Sequence, residues 1–183
     1  MNVSFDVIWL GRGGQGAVTA AMLLAQAAVN RGLYALAIPF FGAERRGAPV
    51  FAYNRVSDGT IHVRSRVEQG DVVAVLDPSL VKMYSLERLA KPGGSVVVNA
   101  TGCEGVKGGF KGYWVDSTGI AEDLGLRVAG WALVNMPMLG AVARVSNLVG
   151  EAELEEAVKQ LIKVHVDKNI EAVRRGWNGV GQC

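Results

Sequence analysis

Glycines 11, 13 and 16 in the stretch "GRGGQG" reproduce G-x-G-x-x-G, the spacing of loops that hold phosphate groups. Such a loop works through missing side chains. A Cβ would keep a phosphate or a neighbouring strand away from the backbone, and glycine turns freely at positive φ. The amides of Gly13, Gly14, Gln15 and Gly16 would then open at the start of the next helix, where the peptide dipoles favour an anion. Three arginines add cationic reach: Arg12 inside the loop, and Arg45 and Arg46 in the later "GAERRG". Their planar forks match phosphate oxygens two at a time.

A dinucleotide site makes a further demand, an acid at the end of the second strand that binds the ribose hydroxyls. That strand, "YALAIPFFG", ends in Pro39, Phe40 and Phe41, so the acid is missing and NAD or FAD is disfavoured. Two readings of the glycines stay open: a tight turn with close helix-to-strand packing, or a loop for another anionic ligand. His62 and His165 have no cysteine or carboxylate partners at metal-ligand spacing and read as solvated or hydrogen-bonded histidines. Trp9, Trp114, Trp131 and Trp177 read as core or subunit-interface anchors, since no basic stripe accompanies them. No nucleophile, base and acid set stands out.

The elements that must position the loop follow from hydrophobic period. An apolar strand (Phe5, Val7, Ile8, Trp9, Leu10) leads into "GRGGQG", and a helix of about residues 15 to 30 leaves it. Residues 34 to 38 form a second strand. In "VFAYNRVSDGTIHVRSRV" two alternating runs flank Asp58 and Gly59, which predicts a hairpin. "DVVAVLD" and "KPGGSVVVNA" contain buried parallel strands with a helix between them starting at Pro78. Residues 101 to 112 form a glycine-rich loop, "YWVDS" a short strand, and 117 to 125 and 134 to 148 helices. Leu154, Val158, Leu161 and Ile162, then Ile170, Val173 and Trp177, recur at helical spacing. Strand and helix alternation predicts an α/β fold: a Rossmann-like three-layer α/β/α sandwich, mainly parallel with an added antiparallel hairpin.

The 183 residues suit one domain, 1–183, with 176–183 as a flexible tail. Half the residues are hydrophobic, and 24 glycines is nearly twice the usual share of about 7%, as tight turns and apolar contact surfaces require. The formal charge of +2, without a run of like charges, indicates neither nucleic acid nor a membrane surface as partner. The N-terminus reads straight into a strand with no secretory signal, and Val128 to Ala143 is too short and too interrupted to span a bilayer. The expected location is cytoplasmic. Cys103 and Cys183, far apart in sequence, fit reduced thiols there better than a disulfide. Two cysteines also fall short of the four thiolates of an iron–sulfur cluster.

Taken together, "GRGGQGAVTAAMLLAQAA", "FFGAERRGAPVFAYNRVSD", "DVVAVLDPSL", "KPGGSVVVNA" and "KNIEAVRRGW" resemble the gamma subunit of the 2-oxoacid:ferredoxin oxidoreductases, the family of pyruvate:ferredoxin oxidoreductase, or pyruvate synthase. The resemblance covers nearly the whole chain. "VNMPMLGA" departs from the family pattern at Met136 and Pro137, at the start of the helix expected over 134 to 148. The resemblance implies an assembly that oxidatively decarboxylates a 2-oxoacid, conjugates the acyl group to coenzyme A and reduces ferredoxin. It implies alpha, beta and ferredoxin-like delta partners that supply thiamine diphosphate, magnesium and iron–sulfur clusters. The chain alone is then expected to bind no cofactor and to be inactive. Within such an assembly Gly11, Arg12, Gly13, Gly14, Gln15, Gly16, Arg45 and Arg46 are candidates for an edge facing the phosphates of coenzyme A. The competing reading makes "GAERRG" an intersubunit contact. The rival in another class is a free-standing Rossmann-type nucleotide-binding enzyme.

Overall fold

Val7 and Trp9 bury on one face of the first strand, and Ile8 and Leu10 on the other. This is the two-residue period of a strand with no wet side. The computed structural model describes residues 4–40 and 47–183. In chain order its elements are β1 (Ser4–Arg12), α1 (Ala17–Asn30), β2 (Tyr34–Phe40), β3 (Pro49–Ser57) and β4 (Gly70–Val75). A 3₁₀ turn (Pro78–Lys82), α2 (Leu86–Leu89), β5 (Ala90–Asn99), β6 (Lys111–Val115) and α3 (Ser117–Asp123) follow. The chain then forms β7 (Arg127–Val128), β8 (Trp131–Ala132), α4 (Asn135–Ser146), α5 (Glu151–Leu161), α6 (Val166–Gly179) and β9 (Gly181–Gln182).

The main sheet has seven strands in the order β2-β3-β1-β4-β5-β6-β9. β1, β4, β5 and β6 pair in parallel, β3 runs against both β1 and β2, and β9 runs against β6. The α/β expectation therefore holds, with most strands pointing one way. One face of the sheet packs Val7, Trp9, Ala74 and Val97 against α1 and α4, on which α5 and α6 are layered in turn. The other face, with Ile8, Leu10, Val73, Val75, Val96 and Val98, is covered more thinly by the 3₁₀ turn, α2 and extended segments around Val67 and Val106.

Buried amides tie the layers together. The fully buried Asn54 accepts from Trp9 Nε1 at 2.7 Å and donates to the Ala21 carbonyl at 2.8 Å and that of Leu36 at 3.2 Å. One side chain thus joins β1, β2, β3 and α1, and every hydrogen-bonding group it buries is satisfied. α4 begins at Asn135 with Pro137 in its first turn, where a proline's missing amide costs the helix no bond. α4 and α6 approach closely because Gly140 meets the Val173 carbonyl and Gly176 the Pro137 carbonyl, where a Cβ would collide.

Three expectations are corrected. The hairpin around Asp58 and Gly59 does not form: β3 ends at Ser57, and residues 60–69 leave the sheet without strand structure. Both edges of β3 are already paired, to β1 and to β2, so a strand following Gly59 has no place beside it. The antiparallel pairings are made instead by β3 with β1 and β2, by β9 with β6, and by the short β7–β8 hairpin. Residues 176–183 are not a loose tail, since α6 runs to Gly179 and β9 pairs with β6. Pairing there covers what would otherwise be the open edge of β6. Finally, Cys103 and Cys183 are joined in a disulfide, with Cα atoms 5.6 Å apart. β9 carries Cys183 to the loop after β5, and the Cys183 amide donates to the Gly112 carbonyl at 2.8 Å. Eighty residues of sequence separation hid a contact that strand order creates.

Candidate functional site

The carboxyl ends of β1 and β4 and the amino end of α1 meet the loop of residues 12–16, the switch point where α/β sheets take ligands. The loop is braced from inside. Gln15 Oε1 accepts from the Arg12 amide at 2.7 Å, and Gln15 Nε2 donates to Asp77 Oδ2 at 3.0 Å. The Arg12 guanidinium donates to the Gly47 carbonyl at 2.9 Å and to Ser79 Oγ at 2.8 Å, and its Nε lies 3.4 Å from Asp77 Oδ2. Asp77 also accepts from the Ser79 amide at 3.0 Å. Gly13 donates to the Ala48 carbonyl at 2.9 Å and accepts from the Gly47 amide at 3.3 Å, which stitches the loop to the segment before β3.

These bonds occupy the amides of Arg12, Gly13 and Gln15. No acceptor among the described residues is bonded to the amides of Gly14, Gly16, Ala17 or Val18. The first turn of α1 has no side-chain cap and no acidic residue, so none of the described residues neutralises its positive end. Gly14 and Gly16 have φ of +94° and +84°, a conformation suited to glycine. Gly16 has a second reason: a Cβ there would lie 2.5 Å from Asn135 Nδ2. Asn135 is 2% exposed, and its Oδ1 has no hydrogen-bond partner.

In front of the loop lies a cavity of about 820 Å³. Arg12, Gly13, Gly14, Gln15 and Gly16 line it, and Val128, Trp131 and Leu133 are among its apolar lining side chains. Gly11 is not on the cavity; it lies in β1, where a Cβ would press at 3.3 Å on Leu76 and on Gln15. Five of the candidates therefore come together, Gly11 serves packing, and Arg45 and Arg46 lie outside the described residues. Arg12 is spoken for by Asp77 and Ser79, which makes it a brace of the loop in this conformation.

Sequence reasoning missed Asp77, Ser79, Asn135 and Trp131. The sequence did carry a signal for the first two, "DPS" at the end of an apolar strand, an aspartate that caps the turn beyond it. Asn135 and the β7–β8 hairpin reach the loop only through tertiary packing. The topology also weighs against a Rossmann nucleotide site. β3 stands between β1 and β2, so the strand end that would hold the ribose-binding acid is one strand further from the loop. Among the described residues no group of three or more His, Cys, Asp or Glu could hold a metal ion.

Electrostatic order at the opposite end of the sheet is separate from this site. Asp6, 8% exposed, is held by Arg55 at 2.9 Å and Lys91 at 3.2 Å, and Lys91 also meets Asp71 at 2.7 Å. Burial by itself would lower the Lys91 ammonium, but its hydrogen bond to Asp71 and the charges of Asp71 and Asp6 outweigh it and hold its pKa above the usual value.

A family model described as pyruvate ferredoxin/flavodoxin oxidoreductase matches residues 6–179. The "pyruvate/ketoisovalerate oxidoreductases common subunit gamma" of Thermococcus kodakarensis is 42% identical over 180 residues, which span 94% of this chain and 95% of that one. The "pyruvate synthase subunit PorC" of Methanothermobacter thermautotrophicus is 43% identical over 176 residues, 96% of this chain and 95% of its own. The crystal structure of pyruvate oxidoreductase subunit PORC from Thermotoga maritima matches with a TM-score of 0.82 at 33% identity, over 98% of each chain.

Proposed function

We propose that this chain, which belongs to the pyruvate ferredoxin/flavodoxin oxidoreductase family as a gamma-type subunit of a 2-oxoacid:ferredoxin oxidoreductase, gives its enzyme a phosphate-holding wall for coenzyme A. The reaction is oxidative decarboxylation of a 2-oxoacid, with acyl transfer to coenzyme A and two electrons passed to ferredoxin. Pyruvate is the 2-oxoacid that the names of the relatives favour. Thiamine diphosphate, magnesium and the clusters belong to alpha, beta and ferredoxin-like delta partners in the cytoplasm. The donor set here suits that division, because the two cysteines of the chain are each other's partners. Residues 1–183 act as one gamma-type domain.

The observation that carries this reading is the uncapped amino end of α1 opening onto the cavity of about 820 Å³. Gly14 and Gly16 admit a phosphate close to amides that have no acceptor among the described residues, and the helix dipole favours its charge by about 0.3–1 kcal/mol, more where water is excluded. Arg12, Gln15 and Asp77 keep the loop in that shape before ligand arrives, so little ordering remains for the bound state. Arg45 and Arg46 are the cations assigned to the phosphate oxygens, while holding the nucleotide end orients the thiol toward the partners' reaction centre.

The test uses the assembled complex. Arg45→Ala raises the KM for coenzyme A about tenfold and leaves the KM for the 2-oxoacid unchanged, as loss of one charge-assisted contact requires. Loss of assembly, with an unaltered coenzyme A KM in whatever complex remains, would place "GAERRG" at a subunit interface instead.

A further inference from the structure

Of the four tryptophans, Trp9 is fully buried and Trp114 and Trp177 are half-buried, but Trp131 is 58% exposed. It lines the same cavity as the glycine-rich loop, as does Val128, which is 53% exposed. The hairpin presenting both is firmly built. Val128 pairs with Trp131 and Arg127 with Ala132, the Leu133 amide donates to the Leu126 carbonyl at 2.8 Å, and Arg127 meets Glu122 at 3.2 Å. Its turn, Ala129 and Gly130 at φ of 49° and 85°, has the two left-handed residues that match the twist of paired strands. A large aromatic ring is therefore held exposed to water, at a fixed place, on the cavity that the glycine-rich loop also lines.

Two parts of the lining define the ligand's chemistry. One offers amides and the positive end of α1; the other offers Trp131, Val128 and Leu133. A molecule with phosphates at one end and a flat aromatic base at the other satisfies both, and the cavity volume lies in the range of small-molecule sites. We infer that Trp131 is the stacking platform for the purine base of coenzyme A. The inference rests on the coenzyme A reading of the loop and adds a residue that sets which phosphate-bearing ligands are kept.

The experiment measures equilibrium binding to the assembled complex by calorimetry, using coenzyme A and 4′-phosphopantetheine, which lacks the base. Trp131→Ala weakens coenzyme A about tenfold, the low to middle range for loss of one base–aromatic stack, and leaves phosphopantetheine unchanged. Trp131→Phe, which keeps a ring, stays within about threefold of the parent. Equal weakening of both ligands, or of neither, overturns the stacking role. Failure of the underlying reading looks different: the parent complex binds coenzyme A with an affinity indifferent to Arg45→Ala. If Trp131→Ala and Trp131→Phe both fail to assemble, the ring belongs to a subunit interface and the inference falls.

Discussion

Cutting the bond between Cys103 and Cys183 should cost the fold more than any single surface change. The two cysteines are 80 residues apart, so the link removes the closure entropy of a long loop from the unfolded chain. The chain-entropy relation gives about 4.5 kcal/mol at 25 °C for a loop of that length. At roughly 2.1 cal/mol/K of unfolding entropy per residue, a chain of this size loses about 12 °C of Tm for that much destabilisation. The local consequence follows from the strand order: β9 is two residues long and pairs only with β6, so without the link it should fray. The assay is thermal unfolding of the purified chain before and after reduction, alongside Cys103→Ser, with hydrogen exchange followed at Gly181 and Gln182. Reduction and substitution should give the same drop in Tm and faster exchange at the carboxyl end. Two free thiols in the native protein, with a Tm indifferent to reductant, would refute the pairing and the reasoning built on it.

Gly16→Ala forces a side chain into φ of +84° and sets its Cβ 2.5 Å from Asn135 Nδ2, so it should destabilise by about 2–3 kcal/mol and weaken coenzyme A in the complex. An unchanged urea midpoint would contradict this. Lys91→Met should destabilise by leaving Asp6 with Arg55 as its one remaining cation among the described residues. Because the folded pKa of Lys91 is raised, its contribution is fully present below 10.5, the ordinary value for lysine, and is lost as pH climbs through the raised value. The gap in stability between parent and Lys91→Met should thus stay level from about pH 6 to 9 and narrow only in stronger alkali. Urea unfolding at several pH values checks it, and a gap already closing by about pH 8 would contradict it.

The strands and helices that line the site were legible because their periods are unmixed. Val7 to Leu10 is apolar on both faces, and Ala17 to Ala28 carries a helical stripe that ends in a turn at Gly32. The glycine-rich loop was legible for the same reason, since its spacing is a demand of local geometry. What was not legible depends on which edges are free. Asp58 and Gly59 carry a hairpin signal, but a strand after them would need an edge of β3 that β1 and β2 already hold. Ile61 to Arg64 alternate as a strand would and lie outside one. Cys103 and Cys183 meet only because β9 closes the far edge of the sheet beside β6. Trp131 gave no hint of its place, because a hairpin of two-residue strands has too short a period to read, and only the fold brings it to the cavity that the loop lines.

The most direct test is reconstitution of the enzyme from its separate subunits with and without this chain, following reduction of ferredoxin driven by pyruvate as coenzyme A is varied. With the chain present, turnover should saturate with coenzyme A. Without it, or with a chain carrying Arg45→Ala, the KM for coenzyme A should rise about tenfold or more while pyruvate dependence is kept. An enzyme that lacks the chain yet shows the same coenzyme A dependence and full turnover would contradict a coenzyme-holding role for the subunit.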